Sequence, residues 1–488
     1  MSSRTAVVIG GGLGGIAAAL RLSAAGWRVT LCEQHSRLGG KMGEWRSEGF
    51  RFDTGPSLIT MPWVFEDLFA AVGLRMKDHL ELLPVRPLAR YAFADGLKFD
   101  YTTDMPTWFE TLRQLDPADV DGFLRYMHLG ARLYELSRRT FLRRPLTDPP
   151  DREAWAAMAH LPLRHAWGSY NSAVEHHFRD PHLRQLFNRY PTYVGSSPYQ
   201  CPATLTLIPY IEYAFGGYHI QGGLYRLVEC LADIARARGI EILLESPVTA
   251  IEHRQRRVTG VRLASGATLP ADAVVLNGDA STAPKLLGLS AAPLPVSERS
   301  LSGLIFLVGV RRPLPELLHH NVYFSADYAD EFRALFDTRT FPDDPTVYVS
   351  APSRSDPTCA PPSGEALFIM ANAPASDLPW DAAGIAHARS RIMERLQANG
   401  FPDIASDIVA ERVITPRDMA QRYGMPGGAI YGAHSHGWKR AFWRPPNRDP
   451  RCRGLYYAGG GSHPGGGTPI VLLSAHIATE LIQAHETT

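Results

Sequence analysis

The sequence predicts an α/β protein in which a Rossmann-like domain, discontinuous along the chain, is joined to a mixed α+β domain. Three observations predict it: a strand, glycine turn, helix and strand at the start, a return to short apolar runs after residue 240, and a glycine-rich turn opening a helix near residue 468.

The first apolar run, 6–9, ends in glycines; 16–25 is rich in Ala and Leu; after Gly26 a second apolar run covers 29–32. This reads as strand, helix, strand. Gly10, Gly12 and Gly15 form G-x-G-x-x-G between the first strand and the helix, and Glu33 closes the second strand. The first glycine permits the tight turn, the second lets backbone approach a pyrophosphate, the third lets the helix pack closely, and the helix N-terminus offers N–H groups and positive dipole. Glu33 can accept hydrogen bonds from ribose hydroxyls and repels a 2'-phosphate, which leaves FAD or NAD ahead of NADP. Gly39, Gly40 and Lys41 then place pliable backbone and one cation near phosphate or ribityl oxygens.

Residues 63–215 read as mainly helical with Pro breaks, for example at 65–72 and 120–136. A helix over 227–237 is followed by strands at 241–244, 248–253, 258–263 and 273–276, further strands at 304–310 and 346–349, and a helix over 384–399. Near the end, the strand-like run 454–458 precedes Gly459, Gly460 and Gly461; Gly465, Gly466, Gly467, Thr468 and Pro469 then lead into a helix over 470–484. A second anion or carbonyl site so far from the first implies a long, bipartite ligand, which FAD is. The expected division is 1–75, 216–295 and 410–488 for the FAD-binding domain, and 76–215 and 296–409 for a substrate-binding, membrane-facing domain.

Composition sets bounds. The 488 residues favour two or three domains. With 45% hydrophobic and 20% charged residues and a formal net charge of +1, the chain is globular and has no basic excess for nucleic acid. Cys32, Cys201, Cys230, Cys359 and Cys452 are scattered and never spaced C-x-x-C, which argues against a disulfide framework or structural zinc and fits a reducing cytoplasm. No apolar run reaches membrane-spanning length, so any membrane contact is expected from one side, at the cytoplasmic face.

Several motifs together resemble a known family over almost the whole chain. They are Phe52-Asp53-Thr54-Gly55-Pro56-Ser57, His182-Leu183-Arg184-Gln185-Leu186-Phe187, Gly222-Gly223, His319-His320-Asn321, Ala351-Pro352-Ser353, Phe442-Trp443-Arg444-Pro445-Pro446-Asn447-Arg448 and His463-Pro464-Gly465-Gly466-Gly467-Thr468-Pro469. The family is that of the bacterial-type phytoene desaturases and their carotenoid desaturase and oxidase relatives, which are similar to two-domain flavin oxidoreductases of the amine oxidase type. The resemblance implies FAD as cofactor, with Gly10, Gly12, Gly15, Glu33, Gly40 and Lys41 at its ADP half and the Val248 peptide at adenine. It puts Gly460, Gly461, Thr468, Pro469 and Ile470 at the flavin end, with the 53–57 loop near the flavin, shaping the substrate chamber. Enzymes acting first on phytoene carry an alanine and an Ile-Pro-Gly-Val run in the last motif. Gly466 and Thr468-Pro469-Ile470-Val471, with the 193–199 segment, instead look like relatives acting on already unsaturated carotenoids, thirty-carbon ones included.

Desaturation removes a hydride and a proton from adjacent carbons, and the flavin is the hydride acceptor the resemblance implies, with a quinone or oxygen taking the electrons onward. A conjugated chain spreads the developing cation, so orientation in an apolar tunnel matters more than a strong base. His463, beside the flavin-end glycines, is the one weak candidate for a proton relay, and Glu212 is expected on an exposed helix face. The pairs His176-His177, His319-His320 and His434/His436 lack Cys or carboxylate company, and no metal is expected. The aromatic residues Tyr190, Tyr193, Tyr199, Tyr210, Tyr213, Phe215 and Tyr218 suit a tunnel wall. Arg138, Arg139, Arg143 and Arg144 around Phe141 and Leu142 suit an anionic headgroup surface.

Overall fold

Strands covered by helices on both faces are apolar throughout, and Thr5–Ile9, with Ala6, Val7 and Val8 buried, is the central strand of such a sheet. Its five strands are all parallel, in the order Leu455–Tyr457, Ala273–Leu276, Thr5–Ile9, Arg28–Cys32 and Glu241–Leu243. Helix Leu13–Ala24 packs against helix Thr468–Glu486, and its run Ala17, Ala18, Ala19, wholly buried, lets the two approach closely. This computed structural model describes all residues except 1–3, 147–151, 153–154, 157–167, 291, 438–439, 441–443 and 487–488. Phe442 and Trp443 of the motif quoted above lie outside the described residues.

A second, seven-stranded sheet runs in the order Ile408–Ile414, Ser302–Val310, Glu365–Ala373, Val347–Ser350, His320–Tyr323, Ala89–Ala92 and Lys98–Tyr101. It is antiparallel except where His320–Tyr323 pairs with Ala89–Ala92. The last two strands, and Leu82–Pro84, which pairs with Tyr218–Ile220 just beyond it, fall in the stretch expected to be mainly helical. They are three or four residues long, too short to display a period, and their register comes from distant partners such as Asn321 opposite Arg90. Ile408–Ile414 pairs with Ser302–Val310, so the expected boundary at 409/410 falls inside a strand of this sheet. Its exposed charges, Glu411 and Arg412 among them, suit an edge strand and hid its membership.

Five helices, Met105–Leu115, Asp119–Thr140, Tyr170–His177, Pro181–Asn188 and Leu207–Phe215, cover one side of this sheet region. Three begin on side-chain caps: Asp104 accepts from Thr107 N, Ser169 from Ser172 N, and Asp180 from His182 N and Leu183 N. Between them lies an aromatic core that includes Tyr101, Trp108, Phe123, Tyr126 and Phe187. Among the described residues, no helix is long and apolar enough to cross a membrane.

Candidate active site

A cavity of about 2140 Å³ runs between the two sheets. Ligand pockets for drug-sized molecules span roughly 300–1000 Å³, so this one has room for a dinucleotide and a second long molecule. Gly10, Gly12, Glu33, Gly40, Lys41, Val248, Gly460, Gly461, Thr468, Pro469 and Ile470 all line it. Gly15 does not; a Cβ there would meet the Gly10 carbonyl oxygen at 2.0 Å, so this glycine serves the close seating of helix on strand.

The glycine turn is shaped for an anion. Helix Leu13–Ala24 starts at Gly12 with no side-chain cap and no acid in its first turn, which leaves its N-terminal dipole facing the cavity. Glu33, only 5% exposed, is fixed by two backbone donors, Gly11 N to Oε2 at 2.7 Å and His35 N to Oε1 at 2.9 Å. Each carboxylate oxygen keeps a further lone pair for a ligand hydroxyl. Lys41 reaches across the cavity to donate to the Ile430 carbonyl at 2.5 Å, near Asp279, whose carboxylate lies 3.4 Å from the position of a Cβ on Gly461. Enclosure by protein lowers the Lys41 pKa to about 8, against the pull of Asp279. The ammonium thus faces the C-terminal glycines more than the first glycine turn.

Sequence reasoning missed the residue that joins these parts. Asn277, directly after strand Ala273–Leu276, donates through Nδ2 to the Gly10 carbonyl at 3.1 Å. A Cβ added at Gly12, Gly14, Gly15 or Gly459 would meet its side chain at 2.6–3.0 Å. Its place at the C-terminal end of a parallel strand, where α/β folds bind ligands, is the signal that marks it.

The flavin containing amine oxidoreductase family matches residues 13–483. The chain belongs to this family. Curated relatives span nearly its full length: 4,4'-diapolycopene oxygenase of Methylomonas sp is 35% identical, with 98% of each chain covered. Hydroxyneurosporene desaturase of Rubrivivax gelatinosus is 35% identical over 98% of this chain and 93% of its own. The zeta-carotene-forming phytoene desaturase of Myxococcus xanthus is 34% identical over the same shares. Among solved structures, an oxidoreductase from Methanosarcina mazei has TM-score 0.65 at 16% identity, covering 98% of this chain and 100% of its own. A redesigned putrescine oxidase has TM-score 0.62 at 14% identity over 99% of both chains. This flavin oxidoreductase therefore has the amine-oxidase-like fold, and its cofactor is FAD.

The rest of the flavoenzyme's cavity departs from expectation in several places. Thr54, Gly55, Pro56 and Ser57 line it, but Asp53 turns away and accepts from Leu224 N at 2.9 Å and Tyr225 N at 3.0 Å, at the start of helix Tyr225–Ala237. His463 is wholly buried off the cavity; its Nε2 lies 2.9 Å from the Arg144 carbonyl and its ring packs on Phe141 at 4.5 Å, which places it against the end of helix Asp119–Thr140 and not at the cavity wall. Burial lowers its pKa to about 4, which suits a structural, neutral imidazole. Of the aromatic residues expected in the tunnel, only Tyr193 lines it. Helix Leu207–Phe215 turns Leu207, Ile208, Ile211 and Glu212 to the cavity, and so sends Tyr210 and Tyr213 into the core behind. Leu133, Leu136, Leu205, Ile305 and Met370 add aliphatic and thioether surface to the wall.

Glu212 is 5% exposed, not on a free helix face, and burial raises its pKa. Tyr190 and Tyr193 hydroxyls donate to its two oxygens at 2.7 and 3.2 Å. His434 and His436 stack at 3.8 Å, the first within 3.0 Å of the Ser297 carbonyl, the second accepting from Ser197 N at 2.9 Å. One cluster escaped spacing rules because its members are far apart in sequence: His219, Asp356 and Cys359 bring ligand atoms within 4.8 Å of one another. Hydrogen bonds already occupy its carboxylate, since Gly222 N donates to Asp356 Oδ2 at 2.6 Å and Thr358 Oγ1 to Oδ1 at 2.7 Å.

Proposed function

We propose that this flavoprotein desaturates a long, already unsaturated isoprenoid of the carotenoid kind. The observation that carries the reading is the single cavity, in which the cofactor cradle continues without a wall into an aliphatic channel lined by Leu133, Leu136, Leu205, Leu207, Ile208 and Ile211. A soluble amine needs a short, polar chamber; a polyene needs length and apolar contact. The relatives' names, an oxygenase and two desaturases of carotenoids, support the same substrate class.

Gly10, Gly12, Glu33, Gly40 and Val248 would hold the ADP half of FAD, and Gly460, Gly461, Thr468, Pro469 and Ile470, with the Lys41 ammonium turned toward them, its ring end; FAD there would supply a two-electron acceptor. The chain's own residues orient the polyene along the aliphatic wall and exclude water from it. The parallel sheet with its helices forms the FAD-binding domain, and the seven-stranded sheet with the 105–215 helices forms the substrate domain. Turnover would need a further electron acceptor, of the quinone or oxygen class.

The substrate arrives from a membrane surface. The end of helix Asp119–Thr140 supports this, because Leu136, Ser137, Thr140, Phe141 and Leu142 line the cavity on the turn that carries Arg138, Arg139 and Arg143. A close second reading, oxidation of a terminal methyl group, draws support from the polar residues in the channel described next and from the named diapolycopene oxygenase. Mass spectrometry of products from purified enzyme and defined polyenes separates the two: loss of two hydrogens marks desaturation, gain of oxygen marks oxidation. Hydrogen peroxide from soluble amines, with polyenes unchanged, overturns both.

A further inference from the structure

The aliphatic channel contains one patch that does not suit a hydrocarbon. Ser57, Arg189, Tyr193, Glu212, His320 and Tyr348 all line the cavity and are linked to one another. Arg189 Nη1 donates to Tyr193 OH at 2.9 Å, and Tyr193 OH donates to Glu212 at 3.2 Å. The guanidinium also lies 5.3 Å from the Tyr193 ring centre and 5.4 Å from that of Tyr348. The Tyr348 hydroxyl in turn shares hydrogen bonds of 2.7 Å with Ser57 Oγ and His320 Nδ1. His320 Nε2 is buried without a hydrogen-bond partner.

This is an excess of donors. Arg189 carries five N–H groups, whereas the one formal anion of the patch, Glu212, already accepts from two tyrosines. Arg189 also meets the Tyr91 hydroxyl and the Tyr193 and Tyr348 rings, but a guanidinium in the wall of an apolar channel is costly unless its remaining N–H groups find acceptors. A hydrocarbon polyene supplies none. We infer that Arg189, with Tyr193, Tyr348 and Ser57, forms a subsite for an acceptor oxygen on the end of the polyene, best matched by a carbonyl. The inference rests on the carotenoid reading above and narrows its substrate class to oxygen-bearing chains.

The test uses FAD-loaded enzyme in detergent and three polyenes of equal length, ending in a methyl, an alcohol or an aldehyde. Anaerobic flavin bleaching against polyene concentration gives an apparent affinity for each. The expected order is aldehyde, alcohol, methyl, with the aldehyde bound roughly ten- to a hundred-fold tighter than the methyl, the scale of a hydrogen bond to a charged group. Arg189→Met brings that ratio close to one, Arg189→Lys restores part of it, and Tyr348→Phe lowers it by a smaller factor; flavin content and melting temperature confirm that each variant folds. Equal affinities in the unaltered enzyme overturn the subsite and leave the carotenoid reading standing. A preference that survives both Arg189→Met and Tyr348→Phe overturns its placement. Bleaching by none of the three overturns the subsite together with the carotenoid reading.

Discussion

Glu33 holds two backbone N–H groups and, in the proposed cofactor cradle, keeps lone pairs for ligand hydroxyls, so its removal is expected to be felt twice. Glu33→Ala frees Gly11 N and His35 N as well as deleting the acceptor; retained flavin after gel filtration is expected to fall roughly tenfold or more, with the melting temperature little changed once FAD is added in excess. Lys41 gives a pH signature. Because enclosure brings its pKa down to about 8, the cation is present at pH 7 and lost as pH rises through that value. FAD affinity, followed by flavin fluorescence, should weaken between pH 7 and 9 in the unaltered chain, whereas Lys41→Met is weak at both and flat between them. At this scale the glycines, Glu33 and Lys41 were legible because each has a chemical reason to stand where it does. Asn277 and Arg189 were not, since an isolated Asn or Arg has no local pattern and gains meaning only from what the fold brings to it.

Helix Tyr225–Ala237 was legible because its apolar period lies in its own residues, and strand Ala273–Leu276 because it is a short, wholly apolar and wholly buried run. The strands Ala89–Ala92 and Lys98–Tyr101 borrow theirs from the neighbouring sheet. Helix Leu207–Phe215 shows a subtler limit, for apart from Glu212 its residue types suit core and lipid-like chamber alike, and only its rotation about its axis decides that Ile208, Ile211 and Glu212 face the cavity. Helix Tyr328–Arg333 supplies a stability prediction. Its Glu331 is buried, accepts from Ser325 Oγ at 3.0 Å and Thr346 N at 3.1 Å, and is pushed by burial from 4.5 to about 7. The folded chain then binds more protons than the unfolded one between those values, so stability falls as pH rises across that window and stays low above it. Glu331→Gln, neutral at every pH, should abolish that slope and raise stability at pH 8 by up to about 3 kcal/mol, read by thermal melts at pH 4.5, 6 and 8.

The whole molecule places a cofactor cradle made by one sheet against a channel made by the other and its helices, so that neither sheet alone encloses the site. The double glycine signature announced the first half. The second half, a wall of ordinary Leu and Ile, was indistinguishable in sequence from core, and the resemblance rather than any pattern pointed to it. The proposed delivery of substrate from a membrane surface is tested at this scale too. Arg138 and Arg139 share Glu135, and Arg143 lies 4.7 Å from the ring centre of Trp63, which leaves a cationic rim beside the channel residues Phe141 and Leu142. Replacing Arg138, Arg139 and Arg143 with Gln should cut co-sedimentation with anionic liposomes severalfold at low salt, with little difference at high salt, where screening already weakens the contact; unchanged binding removes this rim from the route.

The parallel sheet has one more consequence, for synthesis. Strand Thr5–Ile9 is synthesised well before its neighbour Ala273–Leu276 and that strand's own neighbour Leu455–Tyr457, which arrive hundreds of residues later. Until then the glycine turn waits with its anion-binding N–H groups assembled on an incomplete floor. Non-local pairings of this kind form slowly and leave exposed edges in the interim. The cofactor cradle of this protein is thus expected to be complete only once strand Leu455–Tyr457 has paired, with flavin capture following that pairing rather than seeding it.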